Sequence, residues 1–486
     1  MSTSSERGGK VMYPAPIKPL NPRPSRYGID PSLVKNRFAE LPEMTSLMLN
    51  ELFPDVPDVI YPSPEGIYSI RRHAEAALEK VDLSMIQPNH TVNILASHHG
   101  FTLLGGEPYA ELLKTVYDVV KQRTGAREVR LRAGVGLRFR ETEEYIKRFE
   151  LNKHFDRARG MAPIDEGIPI ETEIGTLYGL KWTYDATWII HVHNSDVREV
   201  HFHRQVDRAV KPFGMSYARI ETRSTYHQNL GPRGANFTAR AIFESEFVQS
   251  KFVGAVFLNM SPSGVISVEA DNDLYKINDV ITLSGLRHYG KVFQLLGEID
   301  ECIVGLDFPC PVPYVFSAGV IYCNFVGANC DLFDLDERLA PYTWYAEAMY
   351  GRDGKPLVSD VKPVNPAIKM VVHNYAWIGY PSAFFSQQVP TLVVGKEQAD
   401  LFEHDSQNIE YMKYAMVADN LHDSMNFAYK TTGTDKVIVF DGAVGGINVS
   451  RSLADHLMEV APSVSDKVDN ILMPKWLKQR GILVNA

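Results

Sequence analysis

Residues 92–133 read VNILASHHGFTLLGGEPYAELLKTVYDVVKQRTGAREVRLRA. Two apolar runs, Val92–Ala96 and Glu128–Ala133, enclose a stretch of different period. Within Glu107–Lys121, Leu112, Leu113, Val116, Val119 and Val120 recur at helical spacing and share one side. Pro108 suits a first helical turn, where an N–H would have no partner. Gly125 then closes the helix. A second helix is predicted over Glu141–Phe149. Strand and helix in alternation predict a parallel sheet with right-handed crossovers. Ligands of such sheets bind beyond the carboxyl ends of the strands. The two exits here are Ser97-His98-His99-Gly100 and Gly134-Val135-Gly136-Leu137-Arg138.

The pattern extends in both directions. Trp188–Val192 reads as another strand. Gly254–Met260 and Val265–Glu269 read as a hairpin across Ser261–Gly264, where Pro262 and Gly264 are turn residues. The pattern begins again after about residue 275, with buried strands expected at Cys302–Leu306, Thr391–Val394 and Lys436–Phe440. The expected fold class is α/β, with two domains, each a mainly parallel sheet flanked by helices, and the site in the interdomain cleft. The catalytic domain is placed at residues 30–280 and the second at 285–486. Residues 1–29 form an arm in which Pro14, Pro16, Pro19, Pro22 and Pro24 block helix and sheet ladder. Such an arm either wraps a neighbouring domain or subunit, which leaves a homo-oligomer open, or is simply disordered.

The 486 residues are 45% hydrophobic and 22% charged, ordinary for globular proteins. A net charge of −9 argues against a nucleic-acid partner, although a local basic pocket stays compatible with it. Four cysteines, Cys302, Cys310, Cys323 and Cys330, are too few for a disulfide scaffold, and no CxxC pair suggests zinc. They read as buried free thiols. Met1–Lys10 is polar and lacks the apolar core of a signal peptide, and no apolar run is long enough to span a membrane. A cytoplasmic protein acting on a small molecule is the expectation.

Five of the 15 histidines, His191, His193, His201, His203 and His227, fall within 37 residues, and His98 and His99 stand at a strand exit. Imidazole moves protons near neutral pH and is the commonest metal ligand. A His-x-His pair on a strand points both rings to one face, so His191 with His193, or His201 with His203, could share an ion. Lys211, in Val210-Lys211-Pro212-Phe213-Gly214, is either a desolvated, reactive amine or a surface lysine at the start of a loop. Asp441-Gly442-Ala443-Val444-Gly445-Gly446 lies between a strand and a helix expected from about Ser450. It reads as a phosphate cradle or as a tight strand-to-helix turn.

These segments resemble the nickel-pincer lactate racemases and their relatives, and they occur in that family's order. Asn93 to Phe101 is similar to the first strand and its loop. Arg130 to Glu144 is similar to the second strand and a Thr-Glu-Glu helix start. Asp185 to Ile190 is similar to the strand before the catalytic loop, and Phe257 to Asp271 to the closing hairpin. His201, Lys211 and His227 stand ten and then sixteen residues apart, like the family's catalytic histidine, cofactor-bearing lysine and nickel-binding histidine. The resemblance implies a pyridinium mononucleotide joined to Lys211 as a thioamide, with nickel held by the pincer and His227. It makes His201 a base in a racemase or epimerase that removes and returns a hydride at the 2-hydroxy carbon of a hydroxy acid or sugar acid. The family's other catalytic histidine falls on Arg138, which cannot act as a base and is better suited to a carboxylate. The family's Asp-x-Thr-Arg loop falls on His98-His99-Gly100-Phe101. One of these two histidines, His98 slightly ahead, is expected to replace the missing base, the alternative being that both rings cap the turn.

Two other classes fit the same residues. One is a different metal enzyme, with histidines and Glu199 or Glu221 holding a single divalent ion such as zinc, manganese or iron. The other is a non-catalytic sugar- or nucleotide-binding relative of the fold.

Overall fold

The structure, a computed structural model, describes residues 15–17, 35–135, 141–195, 209–225, 231–307, 325, 331, 333–336, 364–374, 383–404 and 411–482. The first strand, β1 (Met44–Met48), belongs to a sheet completed at the other end of the chain. The next strands are β2 (Thr91–Ser97), β3 (Glu128–Gly134) and β4 (Arg157–Met161). A separate hairpin follows, β5 (Gly167–Thr172) with β6 (Gly175–Leu180), and then β7 (Trp188–Asn194), β8 (Phe252–Ser261) and β9 (Gly264–Asp271). The first sheet runs β4-β3-β2-β7-β8-β9, parallel except for β9 at its edge. All seven residues of β2 are buried, as a strand covered on both faces requires.

The order of this sheet carries the functional argument. From β2 the chain moves outward through β3 to β4, then returns to lay β7 on the other side of β2. The β2/β7 junction is therefore the topological switch point, where loops diverge and leave a crevice at the carboxyl ends. The helix between β2 and β3, Glu107–Thr124, has Pro108 in its first turn and buries Leu112, Leu113, Val116 and Val120. Gly125 ends it at φ 63°, with its N–H on the Lys121 carbonyl. The strands expected near residues 92, 128, 188, 254 and 265 are all present, a residue or two longer at most ends.

The second sheet contains β10 (Cys302–Leu306), β11 (Ile368–His373), β12 (Thr391–Val394), β13 (Ala415–Ala418), β14 (Val437–Phe440) and β15 (Gly446–Ser450). Its order is β1-β15-β14-β10-β11-β12-β13, with β10 to β14 parallel and β15 antiparallel to both neighbours. The fold is thus α/β with two mainly parallel sheets flanked by helices. One expectation is overturned here. The helix expected from about Ser450 is present as Arg451–Lys467, but the glycine-rich turn at 441–446 leads first into β15 and not directly into that helix. No helix N-terminus follows the turn directly, so it is neither the phosphate cradle nor the strand-to-helix turn read from its sequence. Gly442 and Gly445, at φ 84° and 83°, make the reversal.

β1 also lies outside the sheet to which residues 30–280 were assigned, because Met44–Met48 pairs with Gly446–Ser450. The expected boundary near 280–285 falls inside the unbroken helix Leu274–Gly297, which packs on β8, β9 and the helix Arg451–Lys467. A single apolar cluster includes Ile94 and Val116 of the first half and Val304, Ile438 and Leu457 of the second. Of the arm, Ile17 is held at its N–H by Ser46 Oγ (2.7 Å) and Asn448 Oδ1 (3.0 Å). Cys302 is a buried free thiol, as expected, and the other three cysteines lie outside the described residues. No helix among the described residues is long and apolar enough to cross a membrane.

Candidate functional site

The site is built at the β2/β7 junction. The last paired residues of the two strands are Leu95 and His191, and beyond them the strands separate. Tyr109, fully buried, fills the gap. Its hydroxyl accepts from the Ser97 N–H (3.1 Å) and donates to the Val192 carbonyl (2.6 Å). Two backbone groups that the sheet can no longer satisfy thus share one oxygen. The ring passes so close to Gly100 that a Cβ there would stand 2.3 Å from it, so His98-His99-Gly100 can follow the strand only with glycine third.

His98 and His99, 2% and 3% exposed, open the short helix His98–Phe101. Ser97 Oγ caps its first turn, accepting weakly from the His99 N–H at 3.5 Å. The two rings lie 4.0 Å apart between centroids, and His99 is 6.5 Å from His193 at the end of β7. Three imidazoles therefore gather, buried, at the carboxyl ends of β2 and β7. They come from strand exits 95 residues apart in sequence, which the spacing of either segment alone does not reveal.

The Lys211 segment meets the same place from two sides. The Ala209 carbonyl accepts from His191 Nε2 (3.1 Å), and Ser216 Oγ is 2.8 Å from Ser97 Oγ. Ser216 also covers the end of β3: a Cβ on Gly134 would stand 1.9 Å from its carbonyl oxygen. Lys211 begins the four-residue helix Lys211–Gly214, and it is half-buried, not on an open outer face.

His191 and His193 do share a face of β7, with ring centroids 5.6 Å apart. Yet His191 is committed to the core. Its Nε2–H donates to Ala209, so its Nδ1 must accept from the Tyr217 hydroxyl, 3.1 Å away. Burial pushes its pKa down to about 3. Both ring nitrogens are used, so the pair does not offer two ligands to one ion. Glu221, the suggested carboxylate ligand, is an exposed partner of Arg219. Among the described residues no group of three His, Cys, Asp or Glu side chains could hold a metal ion. His201, His203, His227, Arg138 and Glu199 lie outside the described residues.

Arg223 escaped the sequence reading. It is 5% exposed and donates to the carbonyls of Val135 (2.5 Å) and Ala218 (3.2 Å), beside the exit of β3. Burial lowers its pKa to about 9. The second sheet has its own switch point, between β10 and β14, and it is filled. Arg37 pairs there with Asp307 (2.9 Å), while Phe38 N–H and Asn374 also donate to that carboxylate. Burial pushes Asp307 up to about 6 despite these donors.

No protein-family model matches the chain, and no curated protein matches it. Among solved structures it is similar to the lactate racemase apoprotein from Thermoanaerobacterium thermosaccharolyticum. That likeness has 11% identity and a TM-score of 0.40, and covers 77% of this chain and 92% of the other. A likeness at this level carries no inference about activity.

Proposed function

We propose that the chain is an isomerase, a racemase or epimerase acting at the hydroxyl-bearing carbon of a 2-hydroxy acid or sugar acid. The supporting observation is the meeting of His98, His99 and His193 with the clamped Lys211 segment at one switch point. A half-buried lysine at the start of a helix, fixed on both sides, fits a covalent anchor for a nickel-pincer mononucleotide. Lys211 would hold that group and His227 its nickel. The chemistry that such a group supplies when bound is reversible hydride transfer at the hydroxyl-bearing carbon.

The chain's own residues handle the proton and the orientation. Inverting a centre needs a proton acceptor for the hydroxyl within hydrogen-bond reach. In this reading His201 serves one face of the substrate and His98, or His99, the other. Arg138 grips the substrate carboxylate through a bidentate pair. The substrate sits in the cleft between the two halves, and burial of both histidines keeps bulk water away. His201, Arg138 and His227 enter on their sequence positions alone.

The test joins mass to turnover. Protein co-expressed with a pincer-synthesis system should carry a covalent adduct by intact-mass spectrometry, and Lys211→Ala should carry none. The loaded enzyme should interconvert C2 epimers while retaining deuterium placed at C2, because the hydride returns to the carbon it left. His98→Ala or His99→Ala should slow turnover on the order of 10²–10⁴-fold, the worth of a positioned base. Absence of the adduct, or washout of the C2 deuterium into solvent, would refute the proposal.

A further inference from the structure

The first sheet carries a second concentration of charge, away from the imidazoles. Arg130 pairs in register with Arg157, and Arg132 with Arg159, on the parallel strands β3 and β4. Residues two apart on a strand share a face, so the four guanidinium groups form a two-by-two array. Like charges at neighbouring cross-strand positions oppose each other, and such an array needs anions beside it.

Among the described residues two carboxylates pair with these arginines. Asp185 takes Arg132 (3.1 Å) and Arg130 (3.4 Å), while Glu128 takes Arg157 (2.6 Å) and also Arg130. Lys251 adds a further cation beside Asp185, with its Nζ on the Ala186 carbonyl (2.9 Å). Burial lowers the pKa of Arg132, and repulsion from Arg130 and Arg159 adds to this. Arg159 has neither carboxylate among the described residues. Its guanidinium lies over the Trp182 ring, 4.2 Å from the centroid. The Nε–H groups of Arg159 and Arg130 are buried with no hydrogen-bond partner. A stacked guanidinium keeps its donors in the plane of the fork, the arrangement that matches phosphate oxygens.

We propose that Arg159, with Arg157 and Arg132, binds a phosphate-type dianion on the face of the first sheet beside Trp182. Two charges suit the excess of guanidinium groups over carboxylates, and tetrahedral oxygens can take donors from both strands at once. Arg130 and Arg132 also hold Asp185, which caps the short helix Lys181–Tyr184, and Arg132 Nε donates to the Trp182 carbonyl (3.0 Å). The ligand would therefore settle against a wall already fixed. This site does not depend on the isomerase reading, since none of its residues belongs to the switch-point crevice.

The test uses the full chain and inorganic phosphate as the probe, with chloride matching the ionic strength. Phosphate should bind saturably by calorimetry and alter tryptophan fluorescence. Trp182→Phe should lose that fluorescence change while still binding. Arg159→Gln should bind on the order of tenfold or more weakly, the worth of one charge-assisted contact. If Arg159→Gln fails to fold, Arg157→Gln, whose side chain is mostly exposed, replaces it and should also weaken binding. No saturable binding by the native chain, or equal binding by the folded arginine variant, overturns the proposal.

Discussion

His191 shows how a residue that looks chemical can be structural. Its sequence setting, His-x-His at the end of an apolar run, could not separate ligand from core. The Tyr217 hydroxyl and Ala209 carbonyl that decide the matter come from a segment beyond β7, so only the fold brings them into view. The commitment has a consequence in pH. The folded-state pKa lies near 3, below the ordinary 6.5, so the folded chain favours neutral imidazole. Stability from this group is fully present above pH 6.5 and is lost as the pH falls towards 3. His288, lowered to about 4, acts in the same direction. Urea unfolding midpoints should therefore fall with acidification over this range, and His191→Gln should flatten the decline; an unchanged slope would contradict the assignment. The position of His98 and His99, by contrast, was legible, because the end of an apolar strand places them at the sheet's carboxyl edge whatever the rest of the chain does.

Elements were legible where their period was strong and their caps local. The helix 107–124 announced itself through Pro108, an apolar stripe and Gly125. β15 did not, because Gly446–Ser450 is short and its partners, β14 and β1, include residues some 400 positions earlier. The packing of the Lys211 segment on β2 and β3 was equally hidden, since it depends on an absent side chain at Gly134. Adding one methyl there should matter. Gly134→Ala would press on the Ser216 carbonyl, a backbone atom that cannot swing aside. The expected cost is about 1–3 kcal/mol of stability, the range for overpacking. Faster amide exchange at Met215–Tyr217 should accompany it by hydrogen-exchange mass spectrometry. A stable variant with native exchange would show that the contact is not close.

At the scale of the whole molecule the two sheets are stitched together more than a two-domain reading suggests. The stretch from β1 to Tyr61 begins in the second sheet and reaches the first, where Tyr61 bridges to Val265. The helix 274–297 makes the return journey, and its buried Lys291 joins Asp469 (2.7 Å) and Asp55. A chain of this length often unfolds in stages, but a shared core and two crossings oppose that. Unfolding followed by far-UV circular dichroism and by tryptophan fluorescence should give coincident transitions. Trp182 and Trp188 report on the first half and Trp344, Trp377 and Trp476 on the second, so two separated transitions would mean the halves are independent.

The pairing of β1 with β15 also sets an order of events during synthesis. The ribosome releases Met44–Met48 early, whereas Gly446–Ser450 emerges only when most of the protein has been made. Until then β1 lacks its partner strand, and an unpaired strand edge is a template for wrong pairing. The second sheet cannot be closed by any fragment that stops short of residue 446. A nascent chain interrupted before residue 446 would thus present much of a folded first sheet together with an open second one, a state that quality-control proteases are equipped to remove.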